Sequence, residues 1–213
     1  MFLRVINKIL VLNPHADDGE FGCGGTVARL LQEGKEIFYA VFSLSEKSLF
    51  DGLPKDTHEK ELHLAVKALG IPENNLTVFR YPVRDFPEYR QDILENLVSL
   101  QKDIDPDLVL LPSTCDIHQD HLTISQEGFR AFKKTNMLGY ELPWNTTGFK
   151  NQAFIALDES HIAAKMRAGE CYDSQKGKRP YASGEYVKSL AIVRGASINN
   201  RYAEAFEAVR IIV

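Results

Sequence analysis

The sequence predicts an α/β fold, a mainly parallel sheet covered by helices on both faces. Three observations carry this expectation. Ile9-Leu10-Val11-Leu12 and Leu108-Val109-Leu110-Leu111 are continuous apolar runs, the pattern of strands buried on both sides. Segments with apolar residues at helical spacing lie between such runs. The first elements read as strand, glycine-rich turn, helix and strand, a βαβ unit.

The elements follow in order. Ile9 to Leu12 ends at Asn13-Pro14, and Gly19, Gly22, Gly24 and Gly25 make a glycine-rich turn. Val27, Leu30 and Leu31 then recur at helical spacing until Gly34 stops the helix. Ile37 to Leu44 is the second strand. Asp56 and Glu59 fit a capping arrangement for a helix whose apolar face is Leu62, Ala65, Val66 and Leu69. Gly70 and Pro72 end it, and Leu76 to Phe79 is a short strand. Ile93, Leu97, Val98 and Ile104 mark another helix, ended by Asp105-Pro106. Leu108 to Leu111 is the clearest strand, closed by Pro112, and a helix over 122–134 follows. Ala153 to Leu157 and Leu190 to Val193 read as strands, with a helix from Ser160 to Cys171 between them. Pro143 to Gly148 and Gln175 to Gly184 read as loops. Tyr202 to Val213 fits helix or strand equally.

The 213 residues suit one domain spanning 1–213. Hydrophobic residues make up 44% and charged residues 25%, enough for a sizeable core. A net charge of -4 gives no footprint for nucleic acid. No run reaches the roughly 18 apolar residues of a membrane span, and the charged start lacks a signal-peptide core. Cys23, Cys115 and Cys171 read as reduced thiols, with Cys23 and Cys115 as small buried fillers. A cytoplasmic protein is expected, its partner a small molecule. Homo-oligomerisation is left open.

Two strings carry the chemistry: Asn13-Pro14-His15-Ala16-Asp17-Asp18 and His118-Gln119-Asp120-His121. Each follows a buried strand, so both should reach the carboxyl edge of the sheet, where ligands bind if the two strands are neighbours. A catalytic metal takes three protein ligands and keeps one open position. His15 and Asp18 can supply two ligands, and one histidine of the His118/His121 pair the third. Asp17 and Asp18 cannot easily present both carboxylates to one ion in the same way. One on the metal and one beside the attacking water, as general base, is more economical. The spare histidine then carries a proton and stabilises charge, and Asp120 can hold a nearby imidazole in its tautomer. This is the parts list of a metal-dependent hydrolase. His58, His63 and His161 read as helix-surface residues, and Lys176 to Arg179 as a solvated loop. Arg80, Arg84, Tyr140 and Trp144 are candidate sugar contacts, although packing explains each of them as well. The segment from Tyr140 to Phe149 is a candidate lid. A rival reading takes Gly22-x-Gly24-Gly25 as the phosphate turn of a non-catalytic nucleotide-binding module.

The string from His15 through Asp17-Asp18-Gly19-Glu20 to Gly24-Gly25-Thr26 resembles the signature of the PIG-L/LmbE-like zinc deacetylases. Asp116-Ile117-His118-Gln119-Asp120-His121 resembles their second signature. Weaker similarity touches Glu61, Ser174-Gln175 and Ala203-Glu204-Ala205-Phe206. The resemblance implies a Rossmann-like fold that removes an N-acetyl group from an amino sugar, such as N-acetylglucosamine, or its conjugate. It implies zinc (Zn2+) held by His15, Asp18 and His121, with ferrous iron (Fe2+) as the alternative metal. Asp17 would be the general base. His118 would stabilise the oxyanion and protonate the amine, oriented by Asp120. Ala16, Gly19 and His58 depart from common family residues. His58 stands where relatives carry an arginine that helps hold the substrate. A non-sugar amidase using the same metal site is the alternative.

Overall fold

Lys8–His15 forms strand β1, and its side chains alternate between two hydrophobic clusters. Ile9 and Val11 belong to one cluster, Leu10 and Leu12 to the other, and all four are fully buried. A run without polar breaks is therefore required, because both faces of the strand meet apolar layers. Burying one such side chain is worth about 1.5–3 kcal/mol.

The computed structural model describes residues 5–212. After β1 come α1 (Asp18–Gln32), β2 (Glu36–Ser43), α2 (Thr57–Leu69), β3 (Leu76–Val78), α3 (Arg90–Ile104) and β4 (Leu108–Pro112). Then follow α4 (Gln119–Ala131), β5 (Asn136–Tyr140), β6 (Ala153–Leu157), α5 (Glu159–Gly169), α6 (Gly184–Ala196) and β7 (Tyr202–Arg210). The seven strands form one sheet in the order β3-β2-β1-β4-β5-β7-β6. The pairs from β3 to β5 are parallel, and β7 runs antiparallel to both of its neighbours. Apolar residues of α1, α2, α5 and α6 pack on one face, those of α3 and α4 on the other. The expected mainly parallel α/β architecture is present.

Strand order reverses between β1 and β4. From β1 the chain builds outward to β2 and β3, then returns to place β4 on the other side of β1. β1 and β4 are direct parallel partners, with Leu10 opposite Val109. Their carboxyl ends therefore open onto one crevice at a switch point, where α/β sheets bind ligands.

Some expectations need correction. Leu190–Val193 is not a strand but part of α6. Only Ala191 of the run is buried well, while Ile192 and Val193 are exposed, and Ser183 caps the helix by accepting from the Tyr186 N–H at 3.2 Å. Asp56 makes no side-chain cap to α2, because its carboxylate is engaged by Lys60 at 2.8 Å. Residues 202–210, ambiguous by pattern, form β7. β5 escaped the pattern because Gly139 interrupts a short apolar run.

The long helix α1 breaks at Cys23 (φ -140°, ψ 18°). Glu204 of β7 accepts the N–H groups of Gly25 (3.0 Å) and Thr26 (2.7 Å), which start the second segment. Lys165 neutralises that buried carboxylate at 2.6 Å. Position 19 has no room for a side chain: a Cβ on Gly19 would lie 2.0 Å from Asn13 Oδ1 and 2.3 Å from Tyr39 Oη.

Candidate active site and metal centre

His15 closes β1, and Asp18 opens α1 three residues later. The turn between them is fixed locally, since Asp18 Oδ2 accepts the backbone N–H of His15 at 2.8 Å. From the other side of the switch point, α4 supplies His121. Three atoms converge there. His15 Nδ1 lies 3.1 Å from His121 Nε2 and 3.2 Å from Asp18 Oδ2, and His121 Nε2 lies 3.3 Å from Asp18 Oδ2. Two metal bonds of ~2.0 Å at a tetrahedral angle put ligand atoms about 3.3 Å apart. The triangle has that size.

The hydrogens agree with the distances. His15 Nε2 faces Asp120 Oδ2 at 2.9 Å, and His121 Nδ1 faces Asp116 Oδ2 at 2.8 Å. Each carboxylate takes the proton-bearing nitrogen and leaves the lone pair of the other nitrogen pointing inward. With both imidazoles neutral, two lone pairs and a carboxylate oxygen meet with no donor between them, so a cation, whether a metal ion or a proton, is needed to complete the arrangement. Without a metal, a proton on His15 meets the same demand. Burial alone would raise Asp18, but His121 and His15 hold its pKa down to about 2. Burial opposes a charge on His15, yet Asp18 and Asp120 overcome it and raise its pKa to about 10.

Asp120 does not orient His118. His118 is the N-cap of α4, and its Nδ1 accepts the backbone N–H of Asp120 at 3.2 Å. At that position a residue turns its amide, not its side chain, toward the cap. The Asp120 carboxylate serves His15 instead. It is anchored by the N–H groups of Arg84 (2.6 Å) and Phe86 (3.3 Å). Arg84 adopts a left-handed φ of 73° to point its amide there. With Nδ1 accepting, a neutral His118 carries its proton on Nε2. Burial and the neighbouring His121 and His15 lower its pKa to about 4.

Asp17 stands beside the triangle, partly buried, at the start of α1 and without a cap bond of its own. Burial, then the charge of Asp18, raises its pKa to about 6. Behind it, Glu20 is fully buried between two tyrosines. Tyr39 donates to its Oε2 at 2.6 Å, and Tyr172 binds both Ala16 O and Glu20 Oε1.

A cavity of about 260 Å³ joins these groups. His15, Asp17, Asp18, His118 and His121 line its inner end, and His58, Trp144, Tyr172, Gln175, Arg179 and Tyr181 are among its other lining residues. The three histidines 15, 118 and 121 also form a candidate metal group, with ligand atoms within 4.8 Å of one another. The Asp18 oxygen is a closer third atom, and His118 already spends Nδ1 on a backbone amide.

The other candidates sort by contact. Trp144 lines the cavity, stacked on Tyr181 with centroids 3.7 Å apart. Arg80 is held by Glu46 and Glu59, the Arg84 guanidinium reaches Lys47 O, and Tyr140 is fully buried on Leu12 O. None of these three lines the cavity. His63 is a surface residue paired with Glu73. His58 is not: it is buried, with Nδ1 on Leu44 O at 2.8 Å and Nε2 on the Gln175 amide at 3.3 Å. His161 is also buried, closing a capping box with Asp158. Cys23 is fully buried, whereas Cys115 is partly exposed and does not line this cavity. Sequence reasoning gave no role to Asp116, although it lay in the quoted string. It read Arg179 as part of a solvated loop, met Gln175 only in a weak resemblance, and gave Tyr181 no role. Their loop, remote in sequence, is tied to α2 by Glu61, which accepts the Ser174 N–H and hydroxyl, each at 2.7 Å.

The PIG-L family, described as GlcNAc-PI de-N-acetylase, matches residues 10–132, which contain both strings and the strands beneath them. The chain belongs to the PIG-L family. An uncharacterized deacetylase, YaiS of Escherichia coli K12, is 32% identical over 166 residues, covering 75% of this chain and 87% of that protein. The N,N'-diacetylchitobiose deacetylase of Pyrococcus horikoshii superposes with a TM-score of 0.78 at 19% identity, covering 96% of this chain and 84% of that one. The 4-carboxy-2-hydroxymuconate hydratase of Pseudomonas putida superposes with a TM-score of 0.76 at 19% identity, covering 98% of each chain. At such identities the PIG-L fold is shared, and the reaction must be argued from the site.

Proposed function

We propose that this PIG-L protein is a metal-dependent N-deacetylase that hydrolyses the acetamide of an amino sugar to acetate and a free amine. The triangle of His15 Nδ1, Asp18 Oδ2 and His121 Nε2, with Asp17 beside it in one cavity, carries the proposal. These three residues would hold the metal, which we assign as zinc with ferrous iron as the alternative. When bound there, the metal supplies Lewis acidity, making a water more acidic and offsetting oxyanion charge.

The remaining chemistry belongs to the chain. Asp17, with a pKa near 6, is basic enough to take a proton from the attacking water as its oxygen bonds to the acetyl carbon. His118 offers its Nε2–H to the carbonyl oxygen as negative charge develops. A neutral His118 spends its one proton on that hydrogen bond. Asp17 therefore returns its proton to the sugar nitrogen as the C–N bond breaks. This gives the proton delivery expected of His118 to Asp17. Asp116 and Asp120 keep His121 and His15 in the tautomers that point lone pairs inward.

The nucleotide-module reading loses its cradle. Gly22, Gly24 and Gly25 lie inside α1 against Tyr140, Lys165 and Leu157, and the Gly25 N–H is taken by Glu204. No helix among the described residues is long and apolar enough to cross a membrane. All three cysteines are free, which supports a reducing, cytoplasmic setting. The test is acetate release from a panel of N-acetylated sugars and simple acetamides, with zinc restored after chelation. Release that needs metal and a sugar supports the proposal. Equal release from simple acetamides points to the non-sugar amidase, and no release from any member refutes both.

A further inference from the structure

The cavity holds several acidic and imidazole groups but one residue with a fixed positive charge, Arg179. Its loop carries three cations, and two are already engaged. Lys176 pairs with Asp173, and Lys178 sits 3.7 Å above the Phe50 ring. No carboxylate, carbonyl or aromatic ring among the described residues takes the Arg179 guanidinium, and the residue is exposed. An arginine without an intramolecular partner at the rim of a cavity is available to a ligand.

The backbone beneath it is held in place. The Arg179 N–H reaches Gln175 O at 3.1 Å, and the Ala182 N–H reaches Arg179 O at 3.1 Å. Upstream, Glu61 clasps Ser174. Downstream, Tyr181 stacks on Trp144 at an interplanar angle of 11°. The loop thus presents Arg179 from a fixed turn, which lowers the ordering cost of a contact. Burial raises the pKa of the Tyr181 hydroxyl, Asp17 raises it further and Arg179 opposes this, so both charges act on one side chain of the cavity wall.

Size gives the ligand its shape. About 260 Å³ falls below the ~300–1,000 Å³ of pockets that enclose drug-sized ligands. One sugar ring fills it, and whatever the ring carries must lie across the rim. Resting on the deacetylase reading above, we propose that Arg179 is a specificity residue that selects N-acetylated amino sugars bearing an anionic substituent, a carboxylate or a phosphate, over neutral ones. The guanidinium forms a forked pair with the anion, while the acetamide lies at the metal centre.

The test compares three probes: the neutral methyl glycoside of N-acetylglucosamine, N-acetylglucosamine 1-phosphate, and the N-acetylglucosamine glycoside of glycolate. The expected result is a kcat/KM for at least one anionic probe about tenfold or more above the neutral one, the weight of a charge-assisted pair. Which anionic probe leads tells carboxylate from phosphate. Arg179→Met collapses the ratio toward one, Arg179→Lys keeps part of it, and Lys178→Met leaves it unchanged. Calorimetric binding of the same probes to Asp17→Asn reads the preference without turnover. A ratio of one in the parent protein, or a ratio that Arg179→Met does not move, overturns the proposal. No acetate release together with an anionic preference in binding sinks the deacetylase reading and leaves the anion site standing.

Discussion

Asp116 gives the sharpest test of how the metal centre is built. It is 2% exposed, and its two oxygens serve different partners. Oδ2 takes the His121 Nδ1–H at 2.8 Å, and Oδ1 takes the His118 backbone N–H at 2.9 Å. Asparagine is nearly the same size but has one acceptor oxygen. If that oxygen stays with the His118 amide, the new NH₂ faces His121 Nδ1. The imidazole then moves its proton to Nε2, which aims a hydrogen at the metal position. If the amide flips, His121 keeps its tautomer and two donors collide at His118. The tautomer cost falls on metal binding, about 10–100-fold in affinity for the loss of such a supporting contact. That equals roughly 1.4–2.7 kcal/mol. In the flipped case the cost falls on folding instead, about 1–2 kcal/mol for the His118 N–H left without an acceptor. Asp116→Ala strands both donors, for about 2–5 kcal/mol in all. The assay is zinc titration against a competing chelator, with urea unfolding of the metal-free protein run alongside. A zinc Kd for Asp116→Asn within about twofold of the parent, together with unchanged urea stability, would refute the tautomer argument, since either the metal or the fold should register the lost acceptor.

Other outcomes follow from the same geometry. Asp17→Asn should retain metal by elemental analysis yet lose about 10²–10⁴-fold in kcat, the weight of one positioned acid–base group. Near-normal turnover would remove Asp17 from the reaction. His118→Ala should also keep its metal while kcat falls about 10²–10³-fold, and loss of metal instead would favour the three-histidine ligand set. Burial raises the Glu20 pKa from 4.5 to about 8 in the folded chain, Tyr39 and Tyr172 opposing the shift. A raised acid favours folding fully below its unfolded pKa and loses that contribution as pH rises through the folded one. Stability should therefore decline by a few kcal/mol between about pH 4.5 and 8 from this group alone. Glu20→Gln should flatten that slope in urea titrations, and an unchanged slope would count against a protonated Glu20.

The sheet was legible because β1 and β4 are buried on both faces and so must be apolar at every position. β5 and α6 were not, for opposite reasons. Gly139 breaks the first apolar run, while the Leu190–Val193 run looks buried in sequence but turns Ile192 and Val193 to solvent. The ligands were legible because strand ends at a switch point converge whatever their separation in sequence. Their supports were not. Whether Asp120 meets His118 or His15 depends on the N-cap geometry of α4 and on backbone amides at Arg84 and Phe86, and backbone amides leave no mark in sequence. His58 and Arg179 were hidden because tertiary contacts alone decide which helix face is covered and which loop cation lacks a partner.

β7 has a consequence for the order of assembly. Glu204 caps the helical segment that continues from the first motif. Glu207, three residues on and on the opposite face of the strand, accepts Ser113 Oγ (2.9 Å) and the Thr114 N–H (2.8 Å) in the loop leading to the second. Both halves of the metal centre thus lean on a strand made some eighty residues after His121. During synthesis the ligands emerge well before their scaffold. The chain can gain a competent site only once residues 202–210 have joined the sheet, so metal capture marks the completion of folding rather than its start.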